Sequence, residues 1–442
     1  MSAGRSIVVI IFAALLIGGF VAVRRYLPAV RAPFGSPAGD ITKFLPDDSL
    51  PPEAINETNL SLKLPAGFRI SIFAKNLPGA RVMRRDSFGN FWVSRTSQGA
   101  VTLLELDRDS GRVSHQEDVF RGLNRPHGLA FDTAPGRQLY IAEEDRLWRV
   151  ATYSDDKGET VLELPTAGGG HFTRTIGFGP ASAPPTARVP ADAQALAGRS
   201  AGKPDDKQFL YISIGSSCNV CREEDERRAA ILRVDPAAKK SEIFARGLRN
   251  SVFFTWNPVD GSMWATDMGR DWLGDDLPPD EINVIEEGVN FGWPNCYGKN
   301  VHDDGFDKNV YIRDPCTEPF ERASVIDIPA HSAPLGLAFI PPTPGGSGQA
   351  ADGWPEDYWY DLLVAYHGSW NRSQPTGYKV VRHKFDAGGN YEGVEDFITG
   401  WLTPEGALGR PVDILVEPGG VAYISDDKAG VIYKVNGIAP SR

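Results

Sequence analysis

The chain has 442 residues, 41% of them hydrophobic, so it can bury a sizeable core, and length alone allows two or three domains. Its formal net charge of −11 excludes nucleic acid as a bulk partner, because phosphate binding needs a basic footprint. The 47 glycines, 34 prolines and 10% aromatic content point to short strands joined by many turns.

The first element is Ser6–Val23, SIVVIIFAALLIGGFVAV, eighteen residues without a charge between Arg5 and the pair Arg24 and Arg25. It is long enough to span a bilayer, and no small-x-small site separates it from a polar start. Residues 1–25 are therefore read as a membrane anchor, with a cleaved signal as the alternative; positive charges on both flanks leave the orientation open. Residues 26–59, rich in Pro, Gly and Asp, read as a tether. This arrangement places residues 60–442 on the periplasmic or extracellular side, held to the inner membrane by residues 6–23.

Beyond the tether the chain repeats itself. Six alternating tails recur: Leu103–Leu106, Leu147–Val150, Ile231–Val234, Ile282–Ile285, Tyr378–Val381 and Ile432–Val435. Each follows a second apolar run, as in FWVS at Phe91, LYIA at Leu139, LYIS at Leu210, MWAT at Met263, LLVA at Leu362 and AYIS at Ala422. A third run precedes each pair: GLAF at Gly128, IGFG at Ile176, VFFT at Val252, GLAF at Gly336, DILV at Asp413, and a weaker copy near Val82. Period-two alternation of aromatic and β-branched residues is strand chemistry. Six copies of one unit specify an all-β, six-bladed β-propeller; a β-sandwich would not repeat one unit six times. The Ala/Pro-rich stretch 179–206 reads as an exposed loop, and Leu60–Phe73 as outer edge or ring closure.

The cysteines are Cys218, Cys221, Cys296 and Cys316. No second C-x-x-C or His pair completes a zinc site, and Arg222 after Cys221 excludes covalent haem attachment. In an exported chain the expected pairs are Cys218–Cys221 and Cys296–Cys316.

Polar residues precede each first strand: Arg81, Arg125 with His127, His171 with Arg174, Arg249 with Asn250, His331, and Arg410. A propeller brings such positions to one height around its axis, and clustered arginines repel unless an anion sits among them. A structural hydrogen bond to a neighbouring blade is the plainer reading of any one of them. The stretch Asp267–Tyr297 crowds Asp267, Asp271, Asp275, Asp276, Asp280 and Glu281 among Gly and Pro. Oxygen-rich loops of this kind suit calcium, with an acidic surface turn as the alternative.

GLRNSVFF at Gly247–Phe254 and DEINVIEEGVNFGWPNCYG resemble the soluble glucose/sorbosone dehydrogenase family, closest to its sorbosone dehydrogenase-like branch, over about Leu60–Val435. The resemblance implies a quinoprotein oxidoreductase that oxidises a sugar or sugar-derived aldehyde, with pyrroloquinoline quinone and Ca2+ as cofactors. Carried over by position, His171 matches the catalytic base, Arg249 and Asn250 a cofactor-contacting pair, and Arg410 an arginine near the quinone carboxylates. The position of a second arginine holds Val412, and an acidic position in the third blade holds Ser216. Where family members use a Lys in the fifth blade, His367 and Arg372 are the candidates. Arg174 joins the cofactor set from the basic ring. The calcium carbonyls map to Gly269 and Arg270, with Asp267, Asp275 and Asp276 as neighbouring carboxylates. Implied partners are a sugar and a membrane quinone or cytochrome that accepts the electrons. Two rival functions remain: a calcium-dependent propeller lactonase, which needs no arginine ring, and a non-catalytic binding propeller, which needs no His171.

Overall fold

The computed structural model describes residues 51–132, 138–154, 157–166, 170–179, 209–318, 321–342, 353–418 and 420–438. The apolar segment 6–23, most of the tether and nearly all of the stretch 179–206 lie outside the described residues. Among the described residues no helix is long and apolar enough to cross a membrane.

Six antiparallel sheets form the blades. Blade 1 runs Ala80–Arg85, Phe91–Arg95, Ala100–Leu106, Val113–Arg121; blade 2 runs Gly128–Phe131, Gln138–Ala142, Arg146–Ala151, Glu159–Glu163. Blade 3 runs Ile176–Gly179, Phe209–Ile214, Ala230–Asp235, Lys240–Arg246; blade 4 runs Phe254–Trp256, Met263–Asp267, Asp280–Ile285, Ile326–Ile328. Blade 5 runs Pro334–Phe339, Leu362–Tyr366, Lys379–Phe385, Tyr391–Ile398. Blade 6 is assembled from both ends of the chain: Pro411–Glu417, Val421–Asp426 and Val431–Gly437 are completed by Phe68–Ala74, which pairs antiparallel with the last of them. Ile55–Asn56 then adds in parallel outside Phe68–Ala74, so the ordered module starts at least five residues before the expected boundary at 60.

The three runs read from the sequence are the first, second and third strands of each blade. First strands of neighbouring blades touch around the axis, and the GLAF motif explains how closely. A Cβ on Gly336 would stand 2.5 Å from the carbonyl oxygen of Val412 and 2.7 Å from Asp413 Cα, the backbone of the next blade's first strand. Gly128 meets the backbone of Arg174 and Ile176 in the same way. Second strands lie between blades and are buried on both faces, as in Met263–Asp267 and Leu362–Tyr366. Fourth strands vary: Val113–Arg121 carries no buried residue, whereas Ile326–Ile328 in blade 4 and Phe68–Ala74 in blade 6 face the core with alternate residues.

Between the third and fourth strands of blade 4 the chain makes a long excursion. It holds the short hairpin Cys296–Tyr297 with Val301–His302 and the Cys296–Cys316 disulfide. The second expected disulfide, Cys218–Cys221, closes a loop in blade 3, and no cysteine is free.

Candidate active site

Loops from blades 3, 4 and 5 converge on a cavity of about 500 Å³. Its walls are Gly170, His171, Ser217, Cys218, Asn219, Arg249, Asn250, Met268, Gly269, Asp271, Asp280, His331, Ala333, Trp370 and Asn371.

His171 stands just before the first strand of blade 3. Its Nδ1 lies 3.0 Å from the Ser216 carbonyl oxygen and 2.9 Å from Ser216 Oγ. The Ser216 hydroxyl donates to the Cys218 carbonyl at 2.7 Å. A hydroxyl that has given its one proton away can only accept from the ring, so Nδ1 carries the proton and Nε2 keeps the lone pair. Burial first, and then the Arg249 guanidinium, pushes the imidazole pKa down to about 3. His171 is therefore neutral across the physiological range.

Arg249 is 5% exposed and tightly held. Its Nε donates to Asn219 O and Nη2 to Asn219 Oδ1, both at 2.8 Å, while Nη2 also pairs with Asp271 Oδ2 at 3.2 Å. Asp271 in turn accepts from Asn371 Nδ2 at 2.6 Å. The Asn250 backbone N–H donates to Asp267 Oδ1 at 2.6 Å. Two cavity residues carry a buried oxygen that makes no hydrogen bond among the described residues, Asn250 Oδ1 and Asn371 Oδ1.

Below Gly269 three carboxylates are buried together. Asp280 accepts from the backbone N–H groups of Gly269 and Ala333, each at 2.9 Å, and burial raises its pKa to about 7. Burial likewise raises Glu281 to about 7, and burial with the nearby Glu281 charge holds Asp267 well above the carboxylate range. A small void of about 20 Å³ behind the cavity is lined in part by Asp267, Gly269, Arg270 and Glu281.

The structure thus brings His171, Arg249, Asn250 and Gly269 to one cavity, with His331 of the basic ring and Asp271 and Asp280 of the acidic stretch, and places Arg174, Arg410, His367, Arg372, Asp267, Arg270, Asp275 and Asp276 elsewhere. Arg174 is fully buried and donates to the carbonyls of Thr173 at 2.8 Å, His171 at 3.0 Å and Pro165 at 3.1 Å. Arg410 donates to the carbonyls of His367 and Gly368, and His367 Nε2 meets Asp427 Oδ1 at 2.9 Å. Arg372 donates to the Asp275 carbonyl and to Asp276, and Ser373 to the Asp275 carboxylate, so these acids clamp two loops together rather than face the cavity. Asp267 and Arg270 line only the smaller void, where Arg270 pairs with Asp303 at 3.2 Å. The idea of a ring of free cations needs correcting for the same reason. Arg81 pairs with Asp427 at 2.6 Å and Arg125 with Glu144 at 3.3 Å. His127 is buried and held neutral by desolvation. Arginines near the axis find protein acceptors because an unpaired buried charge is too costly, and Arg249 alone among them reaches the cavity wall.

Sequence reasoning passed over Ser216, noted only as a departure, and also Asn219, Trp370 and Asn371. Trp370 and Trp272 are 69% and 71% exposed and meet edge to face at 5.5 Å. Trp272 has φ +74°, an unusual conformation for so bulky a residue. The signal available for these was position alone: GSWN begins two residues after the end of the second strand of blade 5, and DW four residues after that of blade 4.

The profile of the TrAA12-like family matches residues 199–437, more than half of the chain. An uncharacterized protein of Borreliella burgdorferi is 31% identical over 390 residues, covering 86% of this chain and 92% of its own. Among solved structures, the calcium structure of the Trichoderma reesei carbohydrate-active enzyme of family AA12 superposes with a TM-score of 0.65 at 19% identity, over 86% of this chain and 99% of that one. The holo form of the pyranose dehydrogenase PQQ domain from Coprinopsis cinerea gives 0.63 at 20% identity, over 87% and 99%. With more than half of the chain and the cavity loops of blades 4 and 5 inside that match, the chain belongs to the TrAA12-like family.

Proposed function

We propose that the protein is a quinoprotein sugar dehydrogenase that uses pyrroloquinoline quinone and calcium, with His171 as general base. The observation that carries this reading is the locked tautomer of His171: a neutral imidazole with its basic Nε2 left free, in the wall of a polar cavity beside Arg249. The C. cinerea PQQ domain and the T. reesei AA12 protein, which share this fold, supply the cofactor and metal classes.

The cavity fits both groups. Its volume of about 500 Å³ falls in the range of cofactor sites, and Arg249 presents a guanidinium suited to a carboxylate. The buried Asn250 and Asn371 oxygens want donors, which a pyrrole N–H or sugar hydroxyls provide. Buried Asp267, Asp280 and Glu281 have too little positive charge nearby to remain ionised, and a hard cation near Gly269 corrects that deficit. The quinone, when bound, accepts hydride from the sugar carbon. His171 Nε2 takes the proton from the hydroxyl on that carbon, and the Ser216 hydrogen bonds keep the ring aimed as it does so. An anion seated against Arg249 offsets that arginine's field, the second cause after burial of the lowered His171 pKa, and so raises the basicity of the ring.

The test is a titration of chelator-treated protein with the quinone, followed by absorbance while sugars are added. Saturable binding is expected only once calcium is restored, with bleaching of the oxidised quinone on addition of an aldose. Equal binding with and without calcium counts against the site, and turnover of a lactone without quinone establishes the hydrolase reading instead. The segment 6–23 is proposed to anchor the enzyme near a membrane quinone or cytochrome acceptor; an alkaline carbonate wash that releases full-length protein overturns this.

A further inference from the structure

We propose that the four-residue disulfide ring Cys218–Cys221 is the positioning device of the active site, with Asn219 as its working residue. A disulfide closing so short a loop constrains little of the unfolded chain, since the stabilisation grows with loop length. Its contribution is local, and the hydrogen bonds show where.

Asn219, inside the ring, satisfies partners from two other segments. Its backbone oxygen and Oδ1 accept from Arg249 Nε and Nη2, each at 2.8 Å. The same Oδ1 accepts the Asp271 backbone N–H at 2.7 Å, and its Nδ2 donates to the Asp271 carbonyl at 3.1 Å. The side chain of Asn219 thus pairs with the Asp271 backbone as a strand would, while its oxygens hold the guanidinium as a fork. On the other flank the Cys218 carbonyl accepts the Ser216 hydroxyl at 2.7 Å, which fixes the proton on His171 Nδ1. The Ser216 N–H closes the circuit by donating to the Arg249 carbonyl at 2.7 Å. One small covalent ring therefore sets the base from blade 3, the arginine entering blade 4 and the turn at Asp271. None of these bonds involves the sulfur atoms, so the disulfide works by holding the carbonyl of Cys218 and both ends of Asn219 in register.

The inference rests on the proposed quinone site for its functional consequence but not for its structural one, and the full chain tests both. Cys218→Ser/Cys221→Ser and Asn219→Ala are compared with wild type by hydrogen–deuterium exchange of the cofactor-free protein. Faster exchange is expected at Ser216 and Asp271, with blades 1 and 6 unchanged. Wild-type exchange at both amides in both variants overturns the proposal. Global loss of protection in the cysteine variant overturns it as stated, by making the disulfide a determinant of the whole fold, unless Asn219→Ala alone, with an unchanged thermal midpoint, opens Asp271 locally. Quinone titration follows: at least tenfold weaker binding is expected in Asn219→Ala, with partial recovery in Asn219→Asp, which keeps the Oδ1 acceptor for Arg249 but loses the Nδ2 donor to the Asp271 carbonyl. If wild type binds no quinone, the functional reading fails and the exchange result still decides the positioning role.

Discussion

His171 shows what a single residue owes to its surroundings. Its ring is useful because Ser216 has already spent its proton on Cys218, a relation no inspection of residue types reveals. His171→Ala is expected to lower sugar oxidation about 10²- to 10⁴-fold with cofactor binding largely retained. Near-normal turnover in that variant would make the residue structural. The ionisation carries a second expectation. Because burial and Arg249 depress the pKa to about 3, the ring of the cofactor-free protein should protonate only far below the ordinary histidine range of about 6.5. Adding the quinone should move that midpoint upward, readable from the imidazole resonances; no movement would separate His171 from the anion site. His171, Arg249 and Asn250 were legible as residues preceding first strands, whereas Arg174 and Arg410 looked equivalent. What separates them is where their acceptors lie: Arg249 is held at the cavity wall by Asn219, Met268 and Asp271, whereas Arg174 and Arg410 are held by carbonyls that keep them off it, which is a tertiary fact.

At the scale of elements, three strands in every blade could be read because burial between blades leaves an apolar signature. The fourth was legible in blade 6 alone, where Leu60–Phe73 read as outer edge or ring closure and Phe68–Ala74 closes the sheet; Val113–Arg121 and most of Tyr391–Ile398 face water and carry polar residues that look like loop. The glycines of GLAF have a steric role at the axis. Gly336→Ala would drive a methyl into the backbone of Val412 and Asp413, and a loss of roughly 1–3 kcal/mol is expected from the forced shift. Denaturant unfolding measures it; a loss under about 0.5 kcal/mol, the range of an ordinary surface change, would mean the strands can separate freely. The cavity loops resisted reading for the opposite reason. Asp275 and Asp276 looked like metal ligands, yet they brace the blade 4 loop against Arg372 and Ser373.

Over the whole molecule, the buried acids tie stability to pH. Asp280 and Glu281 titrate near 7 in the folded, cation-free chain, against 3.8 and 4.5 as ordinary values. Since the folded state holds these protons more tightly, stability is greatest below the unfolded values and falls as pH rises toward and through 7. Chelated protein should therefore melt at a lower temperature at pH 8 than at pH 5. Added calcium should recover more of that loss at pH 8, because there it replaces no proton. A calcium effect that is equal at both values would detach the acids from the metal. The closure of blade 6 has a different kind of consequence. Phe68–Ala74 finds its partner in Val431–Gly437 more than 350 residues later, so the ring cannot shut until that last strand has been made. Until then the strand meant for the last blade waits with its pairing edge open. The nascent chain is thus exposed to misassociation while all the intervening blades are being made.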